Sequence, residues 1–284
     1  MVEYQNTIEL LKDDFVRLSQ FIHAEYGIKM PPVKKTLLES RLQKRLRSLE
    51  LKTYKEYCDY LFSAEGSRKE IPHFIDKITT NKTDFFREPD HFDFLTQTAL
   101  PALTSSLQNN RKNISIWSAG CSTGEEPYTI AMVVNDFLKN NPKLNITFSI
   151  LATDISVEVL KTAKKAVYHE MRIAPVPIQI RKEYLLRSKS RDNKTIKIGP
   201  ELRRKVVFGR LNFMDSHFGI KQPMDIVFCR NVLIYFDKPT QEKILQKICR
   251  HIPKDGYFFQ GHSESTQNMD LPLKNISPTI YNKI

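Results

Sequence analysis

Apolar residues recur at every third or fourth position through the first part of the chain, which is the period of one helix face. The periodic positions are Phe15, Leu18 and Ile22, then Leu38, Leu42, Leu46 and Leu49, with Pro31 and Pro32 between the two sets. A further short helix is predicted over residues 54–62. The pattern predicts a small all-helical domain over residues 1–78.

Beyond residue 78 the pattern changes to short apolar runs that alternate with helical segments. Strands are predicted at residues 114–117, 148–152, 206–211, 225–229 and 257–260, and helices at residues 157–167 and 238–251. Strands alternating with helices are typical of a parallel sheet with helices on both faces. We therefore predict a doubly wound, Rossmann-like α/β domain over residues 79–284.

A loop of small residues, SAGCSTG at 118–124, follows the first predicted strand and precedes a helix. Its glycines allow backbone N–H groups to approach a ligand at a helix N-terminus. The second predicted strand leads into Asp154, at the place where such folds put a carboxylate that accepts hydrogen bonds from ribose hydroxyls. The loop and the acid together predict an adenosine-type site.

The same loop argues against phosphate ligands. It lacks the Gly-Lys-Ser/Thr of a P-loop and the full G-x-G-x-x-G of a dinucleotide site. Glu125 and Glu126 follow where a pyrophosphate would lie, and their charge would repel it. S-adenosylmethionine fits better, because it carries adenosine, no phosphate and a sulfonium cation. An alternative is that Ser122 with Glu125, and Thr123 with Glu126, form helix capping boxes.

Composition places the chain among cytoplasmic globular proteins. Hydrophobic residues make up 40% of 284 positions, and no apolar stretch approaches the ~20 residues of a membrane span, so no membrane insertion is expected. Cysteines occur without C-x-x-C spacing at Cys58, Cys121, Cys229 and Cys249. The spacing favours neither disulfides nor a metal site.

The formal charge of +12 is unevenly distributed, because residues 161–210 contain fifteen Lys or Arg against four Asp or Glu. A second basic segment, residues 34–50, carries Arg41, Lys44 and Arg45, which can face outward from the leucine stripe. Such surfaces raise association rates with anionic partners, either nucleic acid or acidic protein. A solvated helix face with no partner is the alternative.

Several segments are distinctive in order and content: TTNKTDFFR at 79–87, SAGCSTGEEPY at 118–128, DI at 154–155, FCRNVLIYF at 228–236 and GHSE at 261–264. Together they resemble the CheR-type protein-glutamate O-methyltransferases, which act on chemotaxis receptors. The resemblance implies methyl transfer from S-adenosylmethionine, with S-adenosylhomocysteine as product, to glutamates on the cytoplasmic helices of chemoreceptors. The role would be sensory adaptation.

The resemblance also implies where the cofactor binds and which residues serve the reaction. Cofactor-binding positions would be Asn81, Thr83 and Arg87 on the interdomain linker, residues 79–90, which would lie over the cofactor, with Glu126, Asp154, Asn212, Phe213, Asn231 and Val232. Arg87 is the candidate that holds the substrate or cofactor carboxylate, and Tyr235 the candidate that orients the acceptor oxygen. A surface linker arginine and a packing aromatic are the alternatives for these two residues.

Two surfaces are candidates for receptor docking. A small β insertion is predicted at about residues 185–205, and in the family it can hold a receptor's C-terminal pentapeptide where its loop carries glycines. Here the loop reads SKSRDN at 188–193, so we predict no pentapeptide tethering. The basic helix with Arg41, Lys44 and Arg45 is the predicted docking surface.

Two rival functions remain open from the sequence. A nucleic-acid methyltransferase would share the fold and the positive charge, but the chain has no Asn-Pro-Pro-Tyr motif and no nucleic-acid partner is expected. A catalytically silent, cofactor-binding adaptor is the second rival, and the presence of Arg87, Asp154 and Tyr235 argues against it. A hydrolase is not indicated by GHSES at 261–265, which lacks the final glycine of a nucleophile elbow. Nothing in the sequence requires more than a monomer.

Overall fold

A computed structural model describes residues 8–107, 112–190 and 193–284. The chain divides into two compact units. The first comprises Met1–Thr80, Asn212–Met214 and Tyr235–Asp237; the second comprises Asn81–Leu211, Asp215–Ile234 and Lys238–Ile284.

The first unit is helical, as its apolar periodicity predicts. Its helices are α1 Lys12–Tyr26, α2 Lys35–Ser48, α3 Tyr54–Leu61, α4 Gly66–Lys69 and α5 Ile71–Ile78. Helix α1 ends at Gly27, whose φ of 68° is the left-handed geometry of a C-terminal glycine cap. Thr53 and Glu56 form a capping box at the start of α3. The buried side chains include Leu18, Ile22, Leu38, Leu42, Leu46, Tyr54 and Tyr57.

The second unit is an α/β domain. Its helices are α6 Pro89–Phe94, α7 Leu100–Leu107, α8 Glu125–Asn140, α9 Val157–Lys165, α10 Ile178–Tyr184, α11 Pro200–Arg203 and α12 Lys238–Cys249. Its strands are β1 Asn113–Ala119, β2 Thr147–Asp154, β3 Val167–His169, β4 Leu185–Arg187, β5 Thr195–Ile198, β6 Val206–Arg210, β7 Ile226–Cys229, β8 Tyr257–Gln260, β9 Leu273–Ser277 and β10 Ile280–Lys283.

The main sheet has the strand order β6-β2-β1-β7-β8-β10-β9. The pairings from β6 through β8 are parallel, and β10 pairs antiparallel with both β8 and β9. Strand order reverses between β1 and β7, and open α/β sheets bind ligands at such a switch point. The five predicted strands and the doubly wound topology are confirmed, whereas the closing β9–β10 hairpin was not predicted.

A second, three-stranded sheet of order β3-β5-β4 forms the insertion. Its strands pair antiparallel. The predicted range of about 185–205 includes β4 and β5 but omits β3, which lies nearly twenty residues earlier in the chain. Arg191 and Asp192 of the 188–193 loop, for which no pentapeptide tethering is predicted, lie outside the described residues.

Strand β1 is buried along almost its whole length, so it lies in the interior of the second unit. Ile116, Ile150 and Phe228 of the sheet and Ile130 of α8 are fully or almost fully buried. Across the described ranges, no helix combines the length and the apolar composition needed to cross a membrane.

Candidate active site

The carboxyl ends of the parallel strands bring the predicted site loops to one edge of the sheet. Ala119 at the end of β1 is in register with Thr153 of β2, and Ser118 is in register with Phe228 of β7. The glycine loop, Asp154 and the segment after Cys229 therefore begin beside one another. This is the edge that the sequence motifs predict to hold the cofactor.

Asp154 fixes the backbone of the glycine loop. Its Oδ2 accepts a hydrogen bond from the Ser122 N–H at 2.8 Å, and its Oδ1 accepts one from the Ser156 N–H at 2.9 Å. Both oxygens thus have protein donors, although each carboxylate oxygen has a second lone pair for a further donor. Its position at the end of β2 agrees with the prediction, and its role toward ribose stays a prediction.

Position 120 requires glycine for two reasons, its backbone conformation and the close approach of Val232. Its φ is 85°, a conformation that L side chains rarely adopt. A Cβ at this position would lie 2.4 Å from Cγ2 of Val232. The loop after β1 and the loop after β7 consequently pack together with no room for a side chain at Gly120.

The two glutamates that follow the loop are not capping residues. Helix α8 begins at Glu125 after Gly124, and its N-cap has no side-chain hydrogen bond, so the capping-box alternative is wrong. Glu126 accepts from Ser118 Oγ at 2.7 Å and from Arg230 Nε at 2.8 Å. Both carboxylates are buried and each pairs with an arginine.

Arg230 is a buried residue at this edge that sequence reasoning missed. Its side chain is only 2% exposed, and besides Glu126 it donates to the Arg87 carbonyl oxygen at 2.9 Å and to His91 Nδ1 at 3.0 Å. The guanidinium also lies over the rings of Phe92 and Phe228. It lies inside the FCRNVLIYF segment, but nothing in that motif indicates a partner more than a hundred residues away.

His91 is neutral because of this arrangement. Burial, and then the charge of Arg230, lower its pKa from 6.5 to about 4. Since Nδ1 accepts from Arg230, the ring proton is assigned to Nε2, which faces Thr279 Oγ1 at 2.9 Å. Among the described residues, Glu88, His91 and His262 bring possible metal-ligand atoms within 4.8 Å of one another. The Arg230 charge and the occupied Nδ1 lone pair make this group a poor cation site.

Glu264 shapes the loop after β7. Its carboxylate accepts backbone hydrogen bonds of 2.6–2.9 Å from Gly261, Asn231, Val232 and Leu233. Burial raises the pKa of Glu264, and these backbone N–H groups oppose the rise. Asn231 has a φ of 58°, so the carboxylate stabilises a left-handed residue at a predicted cofactor-binding position.

Linker residues lie against the glycine loop and α8. Ser122 Oγ donates to the Asn81 carbonyl oxygen at 2.8 Å, and the Phe86 N–H donates to Thr129 Oγ1 at 3.2 Å. Thr83 is buried, while Arg87 is partly exposed and donates to the Lys82 carbonyl oxygen at 3.2 Å. Linker residues from Asn81 onward and the loops with Glu126, Asp154, Asn231 and Val232 belong to the second unit.

The other three predicted site residues, Asn212, Phe213 and Tyr235, belong to the first unit. Asn212 Nδ2 donates to the Glu25 carbonyl oxygen, and the Tyr235 carbonyl oxygen accepts from the Lys29 N–H. The Phe213 ring contacts Phe236 edge-on. Their roles toward cofactor and substrate stay predictions.

Of the three basic residues predicted to face outward from α2, Lys44 is exposed, and Arg41 and Arg45 are partly buried. Arg45 forms a two-pronged ion pair with Glu70, whose side chain is 2% exposed. Arg41 donates to the Ile78 and Thr79 carbonyl oxygens at the end of α5. The outward-facing prediction is wrong for Arg45, because a buried carboxylate requires a cation, and Arg41 is engaged because helix C-terminal carbonyls attract one.

Comparison with known proteins agrees with this architecture. The family described as CheR methyltransferase, SAM binding domain, matches residues 81–281, and the family described as CheR methyltransferase, all-alpha domain, matches residues 13–79. A chemotaxis protein methyltransferase of Borreliella burgdorferi is 40% identical over 99% of this chain and 98% of its own length. The chemotaxis protein methyltransferase of Escherichia coli is 33% identical over 99% of this chain and 94% of its own. The chain belongs to the CheR methyltransferase family.

Proposed function

We propose that this chain transfers a methyl group from S-adenosylmethionine to glutamate side chains of chemoreceptors, forming methyl esters for sensory adaptation. One observation carries the proposal: the predicted cofactor-binding loops start at the same edge of the sheet. The glycine loop that Asp154 holds and that leads to Glu126 follows β1, and the loop with Asn231 and Val232 follows the neighbouring strand β7. The names of the relatives, chemotaxis protein methyltransferases, support the receptor as substrate.

The residues of this edge suit S-adenosylmethionine. The cofactor carries no phosphate, and the loop offers buried carboxylates in place of a phosphate-binding lysine. Asp154 would hold the ribose, Glu126 the methionine portion, and Asn231 and Val232 would also contact the cofactor. Asn81, Thr83 and Arg87 on the linker would cover it, and Asn212 and Phe213 would border the adenine.

The main catalytic task of the protein in this reaction is to position the two reactants. When bound, the sulfonium supplies an electrophilic methyl group. A glutamate carboxylate with a reference pKa of about 4.3 is already ionised at neutral pH, so no general base is needed. Its oxygen forms the new C–O bond as the C–S bond breaks, giving a neutral ester and a thioether. Opposite charges disappear in this step, so a site that excludes water favours it.

Arg87 is the proposed anchor for a carboxylate, and Tyr235 the proposed guide for the acceptor oxygen. A guanidinium has five N–H donors in a fork that matches a carboxylate, and the bond from Arg87 to the Lys82 carbonyl oxygen uses one of them. The tyrosine hydroxyl can donate to one acceptor oxygen while the other attacks.

We further propose that the protein acts in the cytoplasm as a monomer, engages the receptor helices through exposed basic residues of α2 such as Lys44, and does not tether a receptor pentapeptide. Titration with a receptor tail peptide tests the last point. Saturation at micromolar peptide would contradict it.

The test of function is methylation of purified receptor cytoplasmic fragments with glutamate, or glutamine, at the accepting positions. We expect label only on the glutamate form. Arg87→Ala and Tyr235→Phe should each lower kcat at least tenfold, whereas Arg87→Lys should recover part of the loss. Cofactor binding measured separately by calorimetry distinguishes a lost methyl acceptor from a lost cofactor. Equal labelling of the glutamine form would contradict the proposed reaction.

A further inference from the structure

Arg172 connects the inserted sheet to the predicted cofactor site. It lies in the short 3₁₀ helix Glu170–Ile173, directly after β3. Its Nη2 donates to Glu125 Oε1 at 2.7 Å and to the Thr83 carbonyl oxygen at 2.5 Å. Its Nη1 lies 3.3 Å from Asp84 Oδ1. One guanidinium therefore links the insertion, the linker and the start of α8.

Glu125 explains why an arginine is needed at this point. Its side chain is 1% exposed, and an ionised carboxylate at that depth requires a compensating charge. Oε2 accepts from Thr123 Oγ1 of the glycine loop at 2.6 Å, while Oε1 is held by Arg172. Glu125 thus transmits the position of Arg172 to the loop that precedes α8.

Several polar side chains hold the linker, among them Arg230 at the Arg87 carbonyl oxygen, and Arg172 is a contact that comes from the insertion. Ser122 holds the Asn81 carbonyl and Thr129 holds the Phe86 N–H, and both are residues of the loop and of α8. Arg172 holds the Thr83 carbonyl that lies between these two points. Losing Arg172 would leave the middle of the linker without its charged donor.

Tyr168 of β3 reinforces the same connection. Its hydroxyl donates to the Thr123 carbonyl oxygen at 2.8 Å, and its ring contacts Phe85 edge-on at a centroid distance of 5.1 Å. A Cβ on Gly124 would lie 2.9 Å from the Tyr168 oxygen. Two side chains of the insertion, only four residues apart, therefore reach both the linker and the glycine loop.

We propose that Arg172 is a positioning residue for cofactor retention: by clamping Thr83 and Asp84 to Glu125, it makes the hold of the linker on S-adenosylmethionine depend on the inserted sheet. The inference rests on the proposed function, because it takes residues 81–87 as the cover of the cofactor. It gives the insertion a task inside the methyltransferase that is separate from receptor binding.

The test measures S-adenosylhomocysteine binding by calorimetry and methylation kinetics for Arg172→Ala, Arg172→Lys and the matched control Arg181→Ala. Arg181 lies in the same insertion and donates to the carbonyls of Val176 and Ala174. Arg172→Ala should weaken S-adenosylhomocysteine binding and raise the KM for S-adenosylmethionine about tenfold. At saturating cofactor, kcat should stay within about twofold, and Arg181→Ala should bind as the wild type does.

Arg172→Lys keeps a positive charge beside Glu125, so it remains informative if the alanine variant does not fold. A lysine cannot reproduce the planar fork between Thr83 and Glu125, and we expect about threefold weaker binding. Hydrogen exchange of the amides in residues 81–86 should quicken in both variants. Wild-type affinity in folded Arg172→Ala or Arg172→Lys, or a fall in kcat with unchanged KM, would overturn the proposal.

The measurements separate an error in the proposed receptor substrate from an error in the proposed role of Arg172. If the wild-type protein binds S-adenosylhomocysteine but methylates no receptor, the proposed receptor substrate is wrong, and the effect of Arg172 on binding can still be measured. If the wild type methylates the receptor and the Arg172 variants bind cofactor normally, only the positioning role of Arg172 is wrong.

Discussion

Arg45 and Lys44 are neighbours on α2, yet we expect the charge of Arg45 to stabilise the fold and the charge of Lys44 to attract an acidic partner. Arg45 is paired through Nε and Nη2 with Glu70, which also accepts from the Tyr57 hydroxyl at 3.0 Å. Lys44 is exposed. We predict that replacing Arg45 lowers the stability of the first unit, whereas reversing Lys44 changes only the encounter with an acidic partner.

The magnitude follows from the burial of Glu70. Its side chain is 2% exposed and that of Arg45 is 19% exposed, so Arg45→Ala strands a carboxylate in the interior. Removing one partner of a buried pair costs roughly 3–5 kcal/mol, and the partial exposure of Arg45 reduces our estimate to about 2–4 kcal/mol. Arg45→Met combined with Glu70→Gln should recover at least about 1 kcal/mol, because no buried charge is left.

Urea denaturation followed by circular dichroism measures these free energies of unfolding. Lys44→Glu should unfold within about 0.5 kcal/mol of the wild type yet methylate receptor several-fold more slowly at low salt, with the difference shrinking as salt rises. The reasoning is refuted if Arg45→Ala keeps wild-type stability, or if the double variant is no more stable than Arg45→Ala.

Other parts of the site give further expectations. Gly120→Ala should be destabilised by at least about 1 kcal/mol more than Gly219→Ala in urea titrations, because both glycines have positive φ but only the first would place a Cβ against Val232; equal losses would contradict this. His91 has a folded pKa of about 4 against 6.5, so the unfolded state binds more protons between these values; stability should fall by up to about 3 kcal/mol as pH drops from 6.5 to 4. His91→Asn should flatten that part of the profile, and an unchanged slope would count against a buried neutral ring. Asp154→Ala should weaken S-adenosylhomocysteine binding at least tenfold by calorimetry, since the carboxylate anchors the glycine loop; full affinity would show that the loop holds without it.

The strands and helices that bury strong apolar patterns could be predicted from the sequence. Leu38, Leu42 and Leu46 of the predicted stripe are buried, as is the apolar run of β1, whereas Leu49 beyond the end of α2 and Leu151 of β2 are only partly buried. The β9–β10 hairpin could not, because LKNIS and IYNK are mostly partly exposed and carry little apolar alternation. Strand β3 was missed for a similar reason, since three residues are too few to show a period.

The ion-pair partners of the buried charged residues could not be predicted from the sequence. Glu126 and Arg230 are more than a hundred positions apart, and α3 and α4 lie between Arg45 and Glu70 in the chain. A helical period indicates which face is apolar, but not which exposed-face arginine reaches a buried carboxylate. Asp154 could be placed at the end of its strand, while its hydrogen bonds to Ser122 and Ser156 depend on a turn that only the folded backbone defines.

The central claim is methyl-ester formation on receptor glutamates, and one measurement tests it most directly. The protein is incubated with methyl-tritiated S-adenosylmethionine, receptor-containing membranes and bulk RNA, and the separated products are treated with mild base. Volatile, base-labile label released from the receptor is the predicted result. Base-stable label on RNA, or no transfer by a protein that binds the cofactor, would contradict it.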